Sequence, residues 1–372
     1  MMKDNRISRW ALGAILAGAV IYIGGCSSSD SPLPSTPPPP PPPPGPAPVA
    51  YNGPGSVWDT DLRTDGTFQI TRRPDLATAI DLTIDGTYVR SAAGFVVLTV
   101  DSASGPDAPS QGDTAWAVEA QGYALMLYTQ GDSFIPMITS GVCPSTDFDG
   151  NWVIARKRVD ADATEIDGDY FGSFAFDATT GQGSLPARHA LSDGFPSAGA
   201  GTLEAGTCAN GIMEVSDALM YLTDNGGAIV HTNLSDPDDA SFIFALTQKA
   251  VTSVAALDAD YAGILFDQSA AQGAQISPVS ITCTNGLCSG AFVTDVANNT
   301  TSGTFTVDLF GTTNAPVTGF LTGTVTDEGG NSGNLACMID EDVQGSGQRL
   351  LSCVGQAPGN NQRLFNLFFA SS

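Results

Sequence analysis

The seven residues "TCTNGLC" (282–288) place Cys283 and Cys288 five positions apart around an Asn-Gly pair. Asn-Gly is a strong signal for a two-residue hairpin, because both residues tolerate the positive φ of a type I′ turn. In that register the two cysteines face each other as a non-hydrogen-bonded pair, with Cα atoms about 4.5 Å apart, a separation that a disulfide can bridge. A redox site favours the spacing CxxC, and a zinc site needs two more ligands. The motif therefore predicts a structural disulfide across a hairpin.

Six cysteines follow the leader, an even number that indicates disulfides in an oxidising compartment. Cys337 and Cys353 lie on two predicted strands around a Gly-rich loop, and symmetric pairing about Gly345 places them opposite each other. The related motif "TCANGIM" has a methionine in place of its second cysteine, so Cys208 lacks a local partner. By elimination, Cys208 is predicted to pair with Cys143.

Other chemical motifs are sparse. His189 and His231 have no cysteine, histidine or carboxylate at metal-ligand spacing, and we interpret both as surface or loop residues. The sequence contains no G-x-S-x-G elbow, Walker loop or dinucleotide fingerprint. A glycosidase needs two facing carboxylates, which the sequence cannot select among its many acidic residues. Trp58, Trp116 and Trp152 are interpreted mainly as core residues, not sugar platforms.

Three aspartates are weak candidates for a metal site. Asp59, Asp61 and Asp65 lie on the turn "DTDLRTDG" and could supply oxygen ligands to calcium. An EF-hand register that starts at Asp61 places Arg63 and Arg72 at ligand positions three and twelve, where a carboxylate or another oxygen is required. A solvated turn is the alternative, and no cofactor is predicted.

Short apolar runs, separated by clusters of Gly, Asp, Asn and Ser, dominate the body of the chain. This pattern predicts an all-β fold of antiparallel strands, built as barrel- or sandwich-like units and stapled by disulfides. Helical periodicity is scarce, and the two best segments, 73–82 and 215–223, are each read as a helical turn or another strand. The predicted strands lie at 94–101, 123–129, 151–159, 171–177, 241–247, 303–312, 319–327, 334–340, 349–355 and 363–370.

A weak internal repeat runs through these strands. "DYFGSFAFD" (169–177) resembles "DYAGILFD" (260–267), and "TCANG" (207–211) matches "TCTNG" (282–286). The spacing between the two markers is longer in the first copy, and the extra length falls at 185–201, which we predict to be an inserted loop. Chance recurrence in a Gly- and Asp-rich β protein is the alternative.

The N-terminus has the form of an export signal. A positively charged start precedes an apolar run of 14 residues (10–23), too short for a comfortable membrane span. The run ends in "IGGC" (23–26), which resembles the lipobox of bacterial lipoproteins. The resemblance implies cleavage before Cys26, acylation of that cysteine with three chains such as palmitate, and, because Ser27 follows it, sorting to the outer membrane. Several acyl chains make such an anchor stable.

A proline-rich tether links this anchor to the body. Eight consecutive prolines (37–44) favour polyproline II, which extends about 3.1 Å per residue and makes the tether a stiff spacer. The predicted organisation is a signal peptide at 1–25, the tether at 26–49, a β-rich domain at 50–250 that divides into units 50–160 and 161–250, and a β-rich repeat domain at 251–372.

The chain is strongly acidic, with a formal net charge of −25. Such a charge repels nucleic acid and anionic lipid headgroups, so no nucleic-acid partner is predicted. We predict a non-enzymatic envelope lipoprotein that binds a protein partner or supports a surface assembly. One alternative is a carrier of a small apolar ligand beside an outer-membrane channel, and a second is a hydrolase. A large apolar cavity would favour the carrier, whereas a barrel filled with side chains would count against it.

Overall fold

The structure, a computed structural model, describes residues 49–53, 57–74, 77–129, 133–139, 143–156, 170–215, 218–223, 227–232, 241–247, 253–267, 275–311 and 315–371. Within these residues the protein is all-β and antiparallel, with three disulfides, which confirms the predicted fold class. The predicted signal peptide, Cys26 and the octaproline lie outside the described residues.

Eight strands at the start of the body form a closed barrel, because β1 pairs with both β2 and β8. Side chains alternate between the two faces of each strand, and the inward set is apolar. The strands are β1 (Val49–Gly53), β2 (Val57–Leu62), β3 (Thr67–Arg73), β4 (Leu82–Arg90), β5 (Phe95–Ser104), β6 (Thr114–Ala120), β7 (Ala124–Thr129) and β8 (Ser133–Thr139).

The next nine strands form a sheet that is almost closed. Its two edge strands are consecutive in the chain and are separated by Gly206 alone, while the first and last strands, β9 and β17, pair in the middle of the sheet. The strands are β9 (Phe148–Arg156), β10 (Phe171–Asp177), β11 (Gln182–His189), β12 (Gly201–Ala205), β13 (Thr207–Ala209), β14 (Ile212–Val215), β15 (Ala218–Leu222), β16 (Ala228–Thr232) and β17 (Ser241–Thr247).

The last eight strands form a second closed barrel, which β25 closes by pairing with β18. Two short 3-10 helices, Val254–Leu257 and Val343–Gly345, accompany it. The strands are β18 (Ala259–Asp267), β19 (Gln275–Thr284), β20 (Leu287–Asp295), β21 (Thr300–Leu309), β22 (Phe320–Asp327), β23 (Ser332–Asp340), β24 (Leu350–Ala357) and β25 (Asn360–Ser371).

A continuous apolar core joins the three sheets. Phe95 and Met126 of the first barrel, Phe171 of the middle sheet, and Phe320 and Phe368 of the last barrel belong to one buried cluster. Strands that contribute to this cluster are therefore buried on both faces, which explains why β23 and β24 carry nearly unbroken apolar runs. Polar bridges reinforce the contact: the Nδ2 atom of Asn366 donates to the Ile154 carbonyl oxygen at 2.8 Å, and the Nδ2 atom of Asn151 donates to the Thr318 carbonyl oxygen at 3.0 Å.

Three details differ from the sequence reading. The segment 185–201, predicted as an inserted loop, is a loop over most of its length but has narrower bounds: β11 runs to His189 and β12 begins at Gly201, so the connection spans 190–200. The first repeated motif falls on β10, the second strand of the middle sheet, in one copy and on β18, the first strand of the last barrel, in the other. The two copies are therefore not aligned strand for strand. Strand β9, which a division at residue 160 assigns to the first unit, pairs with β10 and β17 of the middle sheet.

The two segments with a weak helical pattern contain no helix in their described residues. Segment 73–82 connects β3 to β4, and segment 215–223 contains β15. In segment 215–223, the pairing of β15 with β14 and β16 overrides the weak helical pattern.

Candidate functional site

Side chains fill the interiors of the two closed barrels. In the last barrel, Tyr261, Phe305 and Phe369 are buried together with aliphatic residues from the surrounding strands. In the first barrel, Tyr51 and Phe68 belong to a similar interior cluster. Among the described residues, these two interiors are packed cores.

Three disulfides staple the body. They join Cys283 to Cys288, Cys337 to Cys353, and Cys143 to Cys208, the same pairs that the sequence suggests. Cys283 lies directly opposite Cys288 across the hairpin of β19 and β20, and Cys337 lies opposite Cys353 on β23 and β24. All four of these barrel cysteines are buried in the interior cluster, which makes their role structural.

The three candidate metal ligands have other partners. Asp59 accepts a hydrogen bond from the Nη2 atom of Arg73 at 2.9 Å, and Asp61 accepts one from the Nε atom of Arg63 at 3.0 Å. Asp65 accepts hydrogen bonds from the side chain and backbone of Thr67, which lower its pKa.

Among the described residues, no group of three or more His, Cys, Asp and Glu side chains is arranged to hold a metal ion. The structure therefore gives no support to the metal site considered from the sequence.

His189 has a positioning role in the described structure. Its Nδ1 atom lies 2.9 Å from the carbonyl oxygen of Phe195, and its ring stacks on Phe171 with centroids 5.7 Å apart. These contacts fix the corner of the 190–200 connection against β10 and β11. The side chain of His231 lies outside the described residues.

That corner forms one wall of a pocket with a volume of about 390 Å³. The opposite wall is the outer face of the last barrel, where β22 and β23 lie side by side. Six residues line the pocket: Gly194 and Phe195 from the connection, Phe310 just after β21, Thr322 and Gly323 on β22, and Asn334 on β23. The pocket thus lies between the middle sheet and the last barrel.

Two polar side chains of the pocket, Thr322 and Asn334, differ in their hydrogen bonding. Thr322 is only 1% exposed, and no described residue forms a hydrogen bond with its Oγ1 atom. A buried hydroxyl without a partner costs free energy and calls for an explanation. Asn334 donates through Nδ2 to the Leu191 carbonyl oxygen at 3.0 Å and to Oδ1 of Asp193 at 3.2 Å. Because both partners are acceptors, they fix which end of the Asn334 amide carries the nitrogen.

Two phenylalanine rings supply the apolar surface. Phe310 is 49% exposed, which is high for a side chain of this size and polarity. Phe195 packs edge-on against Phe171 with ring centroids 5.6 Å apart. Its backbone φ is +48°, a left-handed conformation that is an outlier for a bulky residue. Backbone strain of this kind occurs often at ligand-binding sites.

No local sequence pattern predicts these pocket residues. Phe195 lies within 185–201, whose extra length was the one local signal. Asn334 meets Leu191 and Asp193 only in the folded chain, across more than 140 positions of sequence. A pattern read along the chain has no access to such a contact.

Comparison with known proteins yields little. No protein-family model and no curated protein matches the sequence. Among solved structures, isotype 1 transferrin binding protein B from serogroup B Neisseria meningitidis is similar, with a TM-score of 0.28 and 11% sequence identity. The match covers 86% of this chain and only 64% of that one.

The described residues also include no helix that combines the length and the apolar character needed to cross a bilayer.

Proposed function

We propose that this chain is a lipid-anchored protein of the bacterial envelope, sorted to the outer membrane, whose β body binds a protein partner without catalysing a reaction. The observation that supports this best is the contrast between packed interiors and an open outer pocket. The barrels enclose apolar side chains, whereas the pocket beside β22 and β23 combines exposed aromatic surface with a hydroxyl that has no hydrogen-bond partner among the described residues. Exposed aromatic residues beside specific polar groups are typical of protein interfaces.

Two separate observations bear on the alternatives: the packed barrel counts against the carrier, and the contacts of His189 count against a hydrolase that would use this histidine. A carrier of an apolar molecule needs an apolar cavity, and Tyr261, Phe305 and Phe369 occupy that space in the last barrel. A serine hydrolase would need a histidine that is free to take a proton from a serine. His189 instead contacts the Phe195 carbonyl oxygen through Nδ1 and stacks on Phe171, as expected of a residue that positions a loop.

The anchor and the charge of the chain fit this function together. Acylation of Cys26 would hold the chain at the membrane, and the octaproline would extend about 25 Å away from it at about 3.1 Å per residue. The net charge of −25 would keep the body from lying on anionic headgroups. The binding surfaces would then remain available to a partner.

The proposal is tested with full-length protein expressed in a bacterial host at native level. We expect metabolic labelling with radioactive palmitate, recovery in the outer-membrane fraction, and co-purification of a protein partner after chemical cross-linking of whole cells. The variant Cys26→Ala is the matched control. It should lose the label, because the other six cysteines are joined in disulfides.

Two results would contradict the proposal. An unlabelled wild-type protein would exclude the anchor, and cross-linked envelopes without a stoichiometric partner would exclude the binding role.

A further inference from the structure

The free groups of the pocket are mainly hydrogen-bond acceptors. Both N–H groups of the Asn334 amide are directed at Leu191 and Asp193, so its side-chain oxygen is the group that remains to interact. Asp193 precedes Gly194 of the lining and accepts a hydrogen bond from Asn334, which places this exposed carboxylate at the rim of the pocket, where it can only accept when ionised. The Thr322 hydroxyl can accept as well as donate. A ligand that matches this set must bring several donors and need few acceptors in return.

The two aromatic side chains of the pocket further limit which ligand it can bind. The face of a phenylalanine ring carries partial negative charge and attracts a cation within about 6 Å of its centre. Phe310, which is half exposed, and Phe195 both line the pocket. Aromatic faces next to a carboxylate favour a cation that is flat and weakly hydrated over a compact, strongly hydrated ammonium.

The charge of the whole molecule agrees with the local chemistry. The chain has 39 acidic side chains and only 14 Lys and Arg residues. A protein of this charge attracts basic partners at long range and repels acidic ones. An anionic ligand at the rim would also be repelled by Asp193.

We propose that the pocket formed by Phe195, Phe310, Thr322 and Asn334 binds the guanidinium group of an arginine presented by a basic protein partner. The guanidinium is planar, has five N–H donors and no acceptor, and stacks on aromatic rings. It donates to Asp193, to the Asn334 carbonyl and to the Thr322 hydroxyl. This inference rests on the proposed binding function and names the chemistry of the partner.

The test uses full-length lipidated protein in non-ionic detergent micelles and saturation-transfer NMR, which detects weak ligands. The probe is N-acetyl-L-arginine amide, and its matched control is N-acetyl-L-citrulline amide, which has nearly the same shape without the charge. We expect the arginine probe to bind at least about fivefold more tightly than the citrulline probe. The same arginine contact should weaken with added salt, since Asp193 lies at the exposed rim.

Three variants locate the binding. Thr322→Val removes the hydroxyl at nearly constant volume, and because that hydroxyl has no described partner, Tm should stay equal or rise while binding falls. Phe310→Ala should abolish saturation transfer to the arginine side chain. Asp193→Asn retains an acceptor for Asn334 and removes only the charge, so it should weaken binding and reduce its salt dependence.

Two control variants lie away from the pocket. Leu287→Ala removes another exposed apolar side chain of the same barrel, and Asp101→Asn removes an exposed charge from the first barrel. Both should bind the arginine probe like the wild type.

Equal binding of the arginine and citrulline probes would overturn the inference, as would unchanged binding in all three pocket variants. Saturation transfer to methyl β-D-glucoside but not to the arginine probe would also overturn the inference. If that transfer were lost in Phe310→Ala, it would indicate a sugar site.

The two proposals fail separately. If cross-linking captures a partner but the arginine probe does not bind, only this inference fails. If the probe binds at the pocket but no partner is captured, the proposed function fails.

Discussion

At the scale of single residues, Phe195 is held in a conformation that it would not adopt alone. Its φ of +48° costs an L-residue roughly 1–2 kcal/mol relative to ordinary backbone. The Phe195 N–H donates to the Ser192 carbonyl oxygen at 2.9 Å, its own carbonyl oxygen contacts His189, and its ring packs on Phe171. These contacts offset the strain and direct the residue at the pocket.

A pair of substitutions isolates that strain. Phe195→Gly and Phe195→Ala both remove the ring, but only glycine adopts a positive φ freely. We expect both variants to be less stable than the wild type and the glycine variant to be about 1 kcal/mol more stable than the alanine variant, measured by urea unfolding.

The same pair at Phe310 is the control. Phe310 is not among the described residues with positive φ, so there glycine should be the less stable of the two. Equal stability of the two Phe195 variants would show that the backbone is not strained.

At the scale of elements, the hairpin turns depend on ionised aspartates. Asp65, Asp177, Asp295 and Asp327 each accept hydrogen bonds from residues two to four positions ahead, and these bonds lower the pKa of each carboxyl below 3.8. A lowered folded-state pKa adds stability that is fully present above the unfolded value of 3.8 and is lost as pH falls through the lower folded value.

Asp327→Asn tests this at the turn after β22, where Asn331 donates to the carboxylate through its backbone N–H at 2.9 Å. We expect the wild type to be more stable than the variant at pH 7 and the difference to shrink as pH falls from 3.8 towards the lower folded-state pKa, because the unfolded wild-type carboxyl takes up its proton first. Urea unfolding at pH 7, 5 and 3 measures it. Asn331→Ala, which removes the side-chain donor, should reproduce part of the loss at pH 7. A difference that does not change with pH would refute the role of the charge.

The disulfides differ in accessibility, and therefore in their order of reduction. Cys143 and Cys208 are half-buried, whereas Cys283, Cys288, Cys337 and Cys353 are at most 4% exposed inside the last barrel. A thiolate must reach a sulfur atom before it can reduce the bond. Under mild native reduction followed by iodoacetamide, we expect label on Cys143 and Cys208 first and on the barrel cysteines only after unfolding. Mass spectrometry of the labelled peptides decides this, and early label at Cys283 or Cys337 would contradict the inward orientation.

At the scale of the whole molecule, one apolar core ties the three sheets into a single folding unit. The shared cluster takes buried residues from both barrels and from the middle sheet. Removing any one sheet would expose to water the apolar faces that the other sheets pack against it. The free-energy cost is about 25 cal/mol for each Å² of apolar surface exposed. An interface of that kind opposes independent motion of the sheets.

We therefore expect cooperative thermal unfolding in one transition. In single-tryptophan variants, the fluorescence of Trp58 or Trp116 reports on the first barrel and that of Trp152 on the middle sheet, while alkylation of the last-barrel cysteines under reducing conditions reports on that barrel. The probes should give the same midpoint within error. Separated midpoints would show that the sheets unfold independently. In that case Asn366→Ala, which removes the hydrogen bond to the Ile154 carbonyl oxygen, should move the midpoints further apart.

Much of the fold follows from local information. The Asn-Gly turn determines the register of β19 and β20, and this register places Cys283 opposite Cys288. Strand positions such as 171–177 and 241–247 follow from short apolar runs between turn residues, because a strand needs only local alternation and a boundary to be recognised. The acidic charge and the resemblance to a lipobox are also properties of the sequence alone.

Other features exist only in the folded chain. The closing pair β18 and β25 and the contact of Asn334 with Leu191 join residues about 100 or more positions apart. Which apolar strands are buried on both faces depends on how the sheets pack together. The Thr322 hydroxyl has no partner in the part of the chain that the structure describes, and the ring of Phe310 is exposed; both form a pocket only because the corner at Phe195 lies beside them. Sequence patterns record local periodicity, whereas a binding pocket is a relation between distant surfaces, so only the tertiary structure could place it.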